Sequence, residues 1–383
     1  MMVLHIFDWL LFIILLPCVG YMLFYSIASL FYHEPDSPDS VEQKKFLVLF
    51  PAYAEDSVIV SSVQTFLNQD YPKELFDVVV ISDHQRQETI DRLHQFPITT
   101  LIATYENSTK AKALILAIGA MNNDYETVVI MDADNLAPEN LLTKLNQYRA
   151  KGIKAIQVHR KGQLTQSPIS ILDGVSEEIN NGIFRKGHQA MGISSALCGS
   201  GMAFDYQWFQ KNIVFAKTTG EDKELEKMLL KQRIPIVYLD KLSILDKKTE
   251  KQTDIRNQRR RWIAAHFHSM LSVVSDLPQA VSSLNFGYTD KIFQWMLPPR
   301  LIQLAFVFGI TLFVLIFGGH YAYKWLYLSL AQIIALLLPV PKSYWNTALF
   351  KSLIKLPMLT IQMFSNLFHL KKANEHFIHT KHE

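Results

Sequence analysis

Two carboxylates one residue apart, Asp132 and Asp134, are the clearest sign of chemistry in the sequence. They follow the apolar run VVIM, which is typical of a buried strand in a parallel sheet. Ligands of open α/β sheets bind beyond the carboxyl ends of the strands, so both side chains should face a crevice. Two like charges this close favour a divalent cation between them, although one aspartate could instead cap a helix predicted over 136–148.

A second acidic pair, Glu221 and Asp222, follows Gly220 at the start of a helix predicted over 218–232. Acidic residues in a first helical turn interact favourably with the helix dipole, and this is the simpler explanation of the segment taken alone. The alternative is that one of these carboxylates is a general base.

Four arginines precede Trp262 in a basic segment over 252–270. They are Arg256, Arg259, Arg260 and Arg261. Such a segment could lie on anionic lipid headgroups with the tryptophan at the interface. It could also be a diphosphate clamp, since arginine supplies paired donors and tryptophan offers a flat surface for a sugar.

Strands and helices alternate through the part of the chain that carries these residues. We predict strands over 46–53, 76–84, 98–105, 127–134, 155–161 and 234–240, and helices over 56–68, 110–121 and 170–186. Such alternation predicts an α/β fold with a mostly parallel central sheet and crossover helices. Neither GxGxxG nor a Walker motif is present, so phosphates would be held another way, for which a metal at Asp132 and Asp134 is the natural candidate.

The composition suggests a water-facing domain attached to a few membrane helices. Of the 383 residues 49% are hydrophobic and 19% are charged, and the apolar runs lie near the two ends of the sequence. A net charge of +3 argues against nucleic acid as the main partner. Cys18 and Cys198 form neither a disulfide framework nor a zinc site and fit a reducing cytoplasm.

The predicted organisation is a central domain between membrane segments. We predict a transmembrane anchor over 1–33, a linker over 34–45, a cytoplasmic catalytic domain over 46–270, an interfacial segment over 271–298, two transmembrane helices over 299–341, and an interfacial helix with a basic tail over 342–383. Lys44 and Lys45 favour a cytoplasmic domain, and the protein is expected in a bacterial inner or plasma membrane. Whether 351–370 lies on the membrane or spans it is left open.

Six short motifs, taken in order, carry a family resemblance. They are PAYAED over 51–56, ISDH over 81–84, KAKAL over 110–114, DAD over 132–134, GED over 220–222 and QRRRW over 258–262. In this order and spacing the chain resembles the membrane-anchored family-two glycosyltransferases of GT-A fold, the group of cellulose, hyaluronan and chitin synthases and ceramide glucosyltransferase. The resemblance covers about 45–270 and the flanking apolar segments.

The resemblance implies roles for the matching residues. The base and ribose of a nucleotide donor would be lined by Pro51, Tyr53, Glu55 and Asp83, with Lys110 nearby. Asp132 and Asp134 match the pair that holds the diphosphate through Mg²⁺ or Mn²⁺, with Asp134 as the direct ligand. Asp222 matches the general base, with Glu221 beside it. Gln258 and Arg261 would close over the diphosphate, and Trp262 would meet the acceptor. The chain departs from the pattern at Gly220, where Thr is usual, and in the loop after Asp83.

The predicted function is inverting, metal-dependent transfer of a sugar from a nucleotide diphosphate, expected to be a UDP-sugar, to a hydroxyl of a lipid, lipid-linked or glycan acceptor. A Lewis acid at the leaving phosphate and a base on the opposite face of the sugar imply direct displacement. About three membrane helices leave little room for an exported polysaccharide. Two alternatives remain open: a processive polysaccharide synthase, as an oligomer or with a partner subunit, and a non-catalytic nucleotide-sugar-binding membrane scaffold.

Overall fold

The computed structural model describes residues 2–38, 41–122, 124–163, 167–247, 252–317 and 322–367, with side chains for all of these except 2–4, 252–259, 261, 262, 366 and 367. The strands are β1 (Phe46–Tyr53), β2 (Phe76–Asp83), β3 (Thr99–Ala103), β4 (Thr127–Ile130), β5 (Asn135–Leu136), β6 (Ala155–Gly162), β7 (Met202–Asp205) and β8 (Ile236–Asp246). The helices up to the last strand are α1 (Met2–Ala28), α2 (Ile59–Phe66), α3 (Gln87–Leu93), α4 (Lys110–Ala120), α5 (Leu141–Ala150), α6 (Pro168–Asn180), α7 (His188–Ala190), α8 (Tyr206–Ile213) and α9 (Glu221–Lys231). After it come α10 (Gln252–Val274), α11 (Leu277–Ser282), α12 (Phe286–Met296), α13 (Arg300–Phe317), α14 (Ala322–Leu337), α15 (Thr347–Leu353) and α16 (Leu356–Leu367).

The described strands form one mixed sheet in the order β3-β2-β1-β4-β7-β6-β8-β5. Strands β1 to β4 pair in parallel, as the alternating pattern predicts. Beyond β4, β7 runs antiparallel to both β4 and β6, whereas β8 is parallel to β6. The carboxyl ends of β1, β2 and β4 therefore lie side by side at one edge, where the predicted site residues are found.

Strand β1 shows why its segment forms a central strand. Phe46, Val48 and Phe50 pack into one hydrophobic core, and Leu47 and Leu49 pack into the core on the other face of the sheet. Both faces are buried under helices, so the segment reads as a continuous apolar run rather than an alternating one.

Two predicted boundaries near the acidic pair were wrong. Strand β4 ends at Ile130 rather than 134, because the backbone turns so that Asn135 N donates to Asp132 O at 3.1 Å. The helix predicted from 136 begins at Leu141, since 135–136 pair with β8 instead. Helix α3, which has only seven residues, was not predicted.

The helix predicted over 170–186 starts at Pro168 and continues through a π-helical turn, Asn181–Gly187, into α7. It carries buried carboxylates, since Glu177 and Glu178 are 6% and 3% exposed. Glu177 pairs with Arg160 and Arg185, and Glu178 with His159, so the buried carboxylates are compensated.

Two described helices, His5–Phe31 and Arg300–Phe317, are long and apolar enough to cross a membrane, a weak indication that rests on length and composition alone. Helix α14, the second of the two transmembrane helices predicted over 299–341, is shorter than these two. Helices α1, α13 and α14 pack around Val19, Val307 and Trp325. The segment predicted as one interfacial helix over 351–370 is divided between α15 and α16, and the basic tail over 369–383 lies outside the described residues.

Candidate active site

Tyr53 and Asp83 end the neighbouring strands β1 and β2, where their Cα atoms are in register. Asp83 is 4% exposed, and its Oδ1 lies 2.5 Å from Nδ1 of His84. The His84 ring lies 5.1 Å from the Tyr53 ring. Ala54 and His84 both have positive φ values, 51° and 56°, and Ala54 N donates to Asp83 O at 2.8 Å. The backbone thus turns at the same edge of the sheet after β1 and after β2, and His84 lies there beside the predicted residues.

Pro51, Tyr53 and Glu55 follow one another along the end of β1, and all three are partly exposed. The Glu55 carboxylate is close enough to act electrostatically on Asp134. Asp134 lies with Asp132 in the loop over 131–134 that joins β4 to β5, here called the acidic loop. The structure therefore brings the predicted nucleoside-binding residues to the same edge as the predicted metal ligands. Their role in binding a nucleoside stays a prediction.

Lys110 connects three of the predicted motifs. Its Nζ donates to Asp132 Oδ1 and, at 2.7 Å, to the carbonyl oxygen of Gly199, and it lies 3.7 Å from Glu221 Oε1. Burial acts to lower the pKa of Lys110, but Asp132, Glu221 and Asp222 outweigh it and raise the pKa overall. The lysine therefore stays protonated and neutralises part of a crowded set of carboxylates.

The acidic loop is held by the side chain of Asn135. Its Oδ1 accepts from Asp132 N at 3.0 Å, and its Nδ2 donates to Asp134 Oδ1 at 3.2 Å and to Asp246 Oδ1 at 3.3 Å. Asp246 ends β8, and sequence reasoning missed it because only the sheet pairing of β5 with β8 brings it to this loop. Asn135 itself was visible in the sequence as the residue directly after the acidic pair.

Asp132 and Asp134 have pKa shifts of opposite sign. Burial acts to raise the pKa of Asp132, but the adjacent Lys110 lowers it overall. The pKa of Asp134 is raised by burial and then by the negative charges of Asp246, Asp132 and Glu55. The ionised form of Asp134 is therefore destabilised until a cation approaches.

These residues fit a divalent metal that is held jointly with a substrate. No three His, Cys, Asp or Glu side chains converge to form a metal site of protein ligands alone within the described part of the chain. Mg²⁺ commonly binds one or two carboxylates together with substrate phosphates, so a full set of protein ligands is not required. Asp132 is already paired with Lys110, which leaves Asp134, in an excess of negative charge, as the better candidate ligand.

Glu221 and Asp222 form the first turn of α9, where Gly220 provides no side-chain cap. Burial raises the pKa of Glu221 to about 7, with Lys110 opposing and Asp222 adding to the shift. Asp222 is only partly buried, and its Oδ1 accepts from Lys223 N at 2.9 Å. Gly199 has a φ of +91°, and a Cβ there would lie 3.9 Å from Asp222 Oδ2. The glycine thus leaves open space beside the candidate base.

Helix α10 carries the QRRRW motif and passes close to the start of α9, where Glu221 and Asp222 lie. A Cβ on Gly220 would lie 3.7 Å from Ala265 Cβ of this helix. The side chains of Gln258, Arg261 and Trp262 lie outside the described residues, so their predicted contacts with the diphosphate and the acceptor stay predictions.

Comparison with known proteins places this chain in a family. The model of the family described as "Glycosyltransferase like family 2" matches residues 43–265. A probable glycosyltransferase, YdaM, of Bacillus subtilis (strain 168) is 30% identical over 105 residues, 26% of this chain and 25% of the relative. An N-acetylglucosaminyltransferase of Rhizobium meliloti (strain 1021) is 33% identical over 126 residues, 31% of this chain and 28% of the relative. The matched stretches thus span about a quarter of these relatives' lengths.

The fold is similar to that of a solved enzyme over nearly the whole chain. The mannosyltransferase PcManGT from Pyrobaculum calidifontis, in complex with GDP-Man and Mn²⁺, superposes with a TM-score of 0.55 at 16% identity, covering 94% of this chain and 98% of that one. The predicted GT-A-type α/β fold is confirmed, and so is the family predicted from the six motifs. The chain belongs to the glycosyltransferase-like family 2.

Proposed function

We propose that this protein is an inverting, metal-dependent glycosyltransferase that moves a sugar from a nucleotide diphosphate to a hydroxyl group. The observation that carries the proposal is Lys110, which contacts Asp132 and lies 3.7 Å from Glu221. It holds the acidic loop after β4 beside the start of α9, so a donor-binding group and a candidate base share one edge of the sheet. Family membership supports the reaction class.

The donor would bind with its diphosphate at Asp134 and its nucleoside at the ends of β1 and β2. A divalent metal bound there would stabilise the charge that develops on the leaving phosphate. Tyr53 and Asp83 would contact the base and ribose. We expect a UDP-sugar, although the structurally similar mannosyltransferase is in complex with GDP-Man, so both nucleotides belong in the test.

Asp222 would act as the general base toward the acceptor hydroxyl. Its carboxylate is partly exposed and faces the space left by Gly199, whereas Glu221 is only 4% exposed and engaged with Lys110. A base opposite the leaving group implies displacement in a single step with inversion at the anomeric carbon. Glu221 would hold Lys110 rather than exchange a proton with the substrate.

The acceptor would be presented at a membrane. The two helices long and apolar enough to span it, His5–Phe31 and Arg300–Phe317, lie on either side of the catalytic domain in the sequence. We therefore propose a lipid, lipid-linked or glycan acceptor at the membrane surface, with the domain on the cytoplasmic side.

The test uses the full chain, purified in detergent, with a panel of UDP- and GDP-sugars in the presence of Mn²⁺ or Mg²⁺. We expect metal-dependent release of nucleoside diphosphate from one donor, and its loss in Asp134→Ala. Asp91→Ala, on the exposed side of α3, is the matched control and should keep full activity. Metal-dependent donor binding without any turnover would favour the scaffold interpretation, and no binding of any donor would refute the proposal.

A further inference from the structure

A cavity of about 330 Å³ lies between the catalytic domain and the helices that follow it. Its walls come from α6, α9, α10, α12, the start of α13, and single residues of α1 and α16. The α9 wall begins at Lys223, the residue directly after the candidate base Asp222. The α10 wall is formed by Ile263 and His266, just after the QRRRW motif. The cavity therefore adjoins the candidate base and the helix that carries the QRRRW motif.

Two cations in this cavity lack an ionic partner among the described residues. Lys223 Nζ makes no ion pair within the described part of the chain, and it lies 5.1 Å from the centroid of the Trp295 ring. Arg300 Nη2 donates to Ser176 O at 3.0 Å and to Ser176 Oγ at 2.8 Å. Arg300 Nη1 is buried and has no hydrogen-bond partner among the described residues. A buried donor left in this way is costly unless a ligand completes its bonding.

The other charged residues around the cavity leave an excess of positive charge. Arg185 pairs with Glu177 at 3.2 Å, and Glu226 pairs with the buried Lys291. The charges of Arg185 and Glu226 are therefore already compensated. Asp173 is the remaining carboxylate in the lining. His266 adds no charge near neutral pH, because burial and the nearby Lys223 lower its pKa to about 4. Burial lowers the pKa of Lys223, with Asp222 and Glu226 opposing the shift, so an anion bound beside Lys223 would stabilise its charged form.

Much of the remaining lining is apolar, and the two candidate membrane helices contribute to it. Met22 of α1 and Leu301 of α13 contribute to it, as does Met363 of α16. The neighbouring surfaces of α1 and α13 expose large apolar side chains, including Phe24 and Phe306, each 51% exposed. A ligand that fits both parts of this lining has an anionic headgroup and an apolar chain.

We propose that this cavity holds the headgroup of the acceptor, and that the acceptor is a lipid carrying a phosphate close to the hydroxyl that receives the sugar. Lys223 and Arg300 bind the phosphate, and this places the hydroxyl toward Asp222. The hydroxyl oxygen then forms the bond to the anomeric carbon while the bond from that carbon to the diphosphate breaks. The proton passes to Asp222, and the nucleoside diphosphate leaves. This inference rests on the proposed function and adds the class of acceptor.

The experiment measures lipid binding without any donor, so that it is independent of catalysis. The full chain in a polyoxyethylene detergent is titrated with lysophosphatidylglycerol, with a monoacylglycerol of the same acyl chain, and with inorganic phosphate. We expect the phosphate-bearing lipid to bind at least about ten-fold more tightly than either of the others, since charge-assisted hydrogen bonds are worth this much. Binding of inorganic phosphate with equal affinity would mean a site for a free anion and would refute a lipid ligand.

The variants are Lys223→Gln and Arg300→Gln, with Arg300→Lys to retain the charge and Lys227→Gln as the matched control. Lys227 lies one turn further along α9, where it pairs with Asp276 at 3.5 Å and does not line this cavity. We expect the two Gln variants to bind the lysophosphatidylglycerol about ten-fold more weakly or worse, and to bind the monoacylglycerol with unchanged affinity. Lys227→Gln should match the wild type, and Arg300→Lys should recover part of the affinity.

Donor binding is measured on the same variants with a nucleoside diphosphate and Mn²⁺, and it should be unchanged. Equal binding of both lipids by the wild type, or equal loss of both in the variants, would refute the phosphate site. Absence of donor binding in the wild type with intact selectivity for the phosphate lipid would refute the proposed function and leave the lipid site standing.

Discussion

Lys110 Nζ lies 3.7 Å from Glu221 Oε1, which joins the first residue of α4 to the first residue of α9. The same nitrogen donates to Asp132 and to the Gly199 carbonyl. One lysine thus connects the loop that carries Asp132, the backbone at Gly199 and the start of α9, where the candidate base Asp222 follows Glu221. It also keeps the net negative charge low at the place where a diphosphate would bind.

Lys110→Met should weaken binding of the nucleoside diphosphate by about 10- to 100-fold. Without the lysine ammonium, Asp132 and Glu221 would repel the diphosphate, and a charged hydrogen-bond donor would be lost. The measurement is isothermal titration with UDP and GDP in the presence of Mn²⁺. Lys112→Met is the control, since this lysine lies on the same helix but donates to the exposed Asn107 carbonyl. Equal affinities of the two variants would show that Lys110 acts only in folding.

Asp222→Asn should abolish transfer while leaving donor affinity nearly unchanged. A general base typically contributes about 10² to 10⁴ in rate, and the amide preserves the shape of the side chain. Single-turnover transfer and donor binding are measured on the same preparation. Asp222→Glu should retain part of the rate, because it keeps a carboxylate with a different reach. Parallel loss of binding and rate in Asp222→Asn would assign this residue to the donor site instead.

The parallel half of the sheet could be predicted from the sequence, because its strands are buried on both faces and appear as apolar runs between helices. The segment FLVLF at the start of β1 is the clearest case. Strand β7, by contrast, has four residues, and nothing local specifies that it enters antiparallel between β4 and β6. The order of the second half of the sheet is set by long-range packing, which a single sequence does not reveal.

The candidate site could be predicted only as far as its motifs extend. Asp132, Asp134 and Glu221 were identified by type and spacing. The structure connects Asp132 to Glu221 through Lys110 and places Asp134 within electrostatic reach of Asp132. Asp246 was missed, because it ends β8, and the strand that pairs with β8 there is β5, a two-residue strand far away in the sequence. Lys223 was not singled out either, since its missing ion pair becomes visible only after the surrounding helices are placed.

His159 should make stability depend on pH in the alkaline range. Burial acts to lower its pKa, but Asp240 and Glu178, whose carboxylate lies 3.1 Å from Nε2, raise it from 6.5 to about 9. The folded state therefore binds a proton that the unfolded state releases, and this stabilisation is complete below pH 6.5 and is lost as the pH rises through about 9.

His159→Gln should therefore destabilise the protein more at pH 6 than at pH 9.5, with a difference of up to about 3 kcal/mol. Urea unfolding at the two pH values measures it. His94→Gln, at an exposed position after α3, serves as the control and should show little difference. A pH-independent effect of His159→Gln would mean that the imidazole contributes packing alone.

Lys291 and Glu226 form an ion pair that joins α12 to α9 and is 0% and 2% exposed. Lys291→Met should cost about 3–5 kcal/mol of unfolding free energy, because it leaves a buried carboxylate without a cation. The double variant Lys291→Met with Glu226→Leu should recover most of this loss, since an apolar pair of similar volume avoids the desolvation of both charges. Urea unfolding of the wild type, the single variants Lys291→Met and Glu226→Leu, and the double variant gives the coupling energy between the two residues. Additive losses in the double variant would show that α9 and α12 are held together by their apolar contacts rather than by this pair.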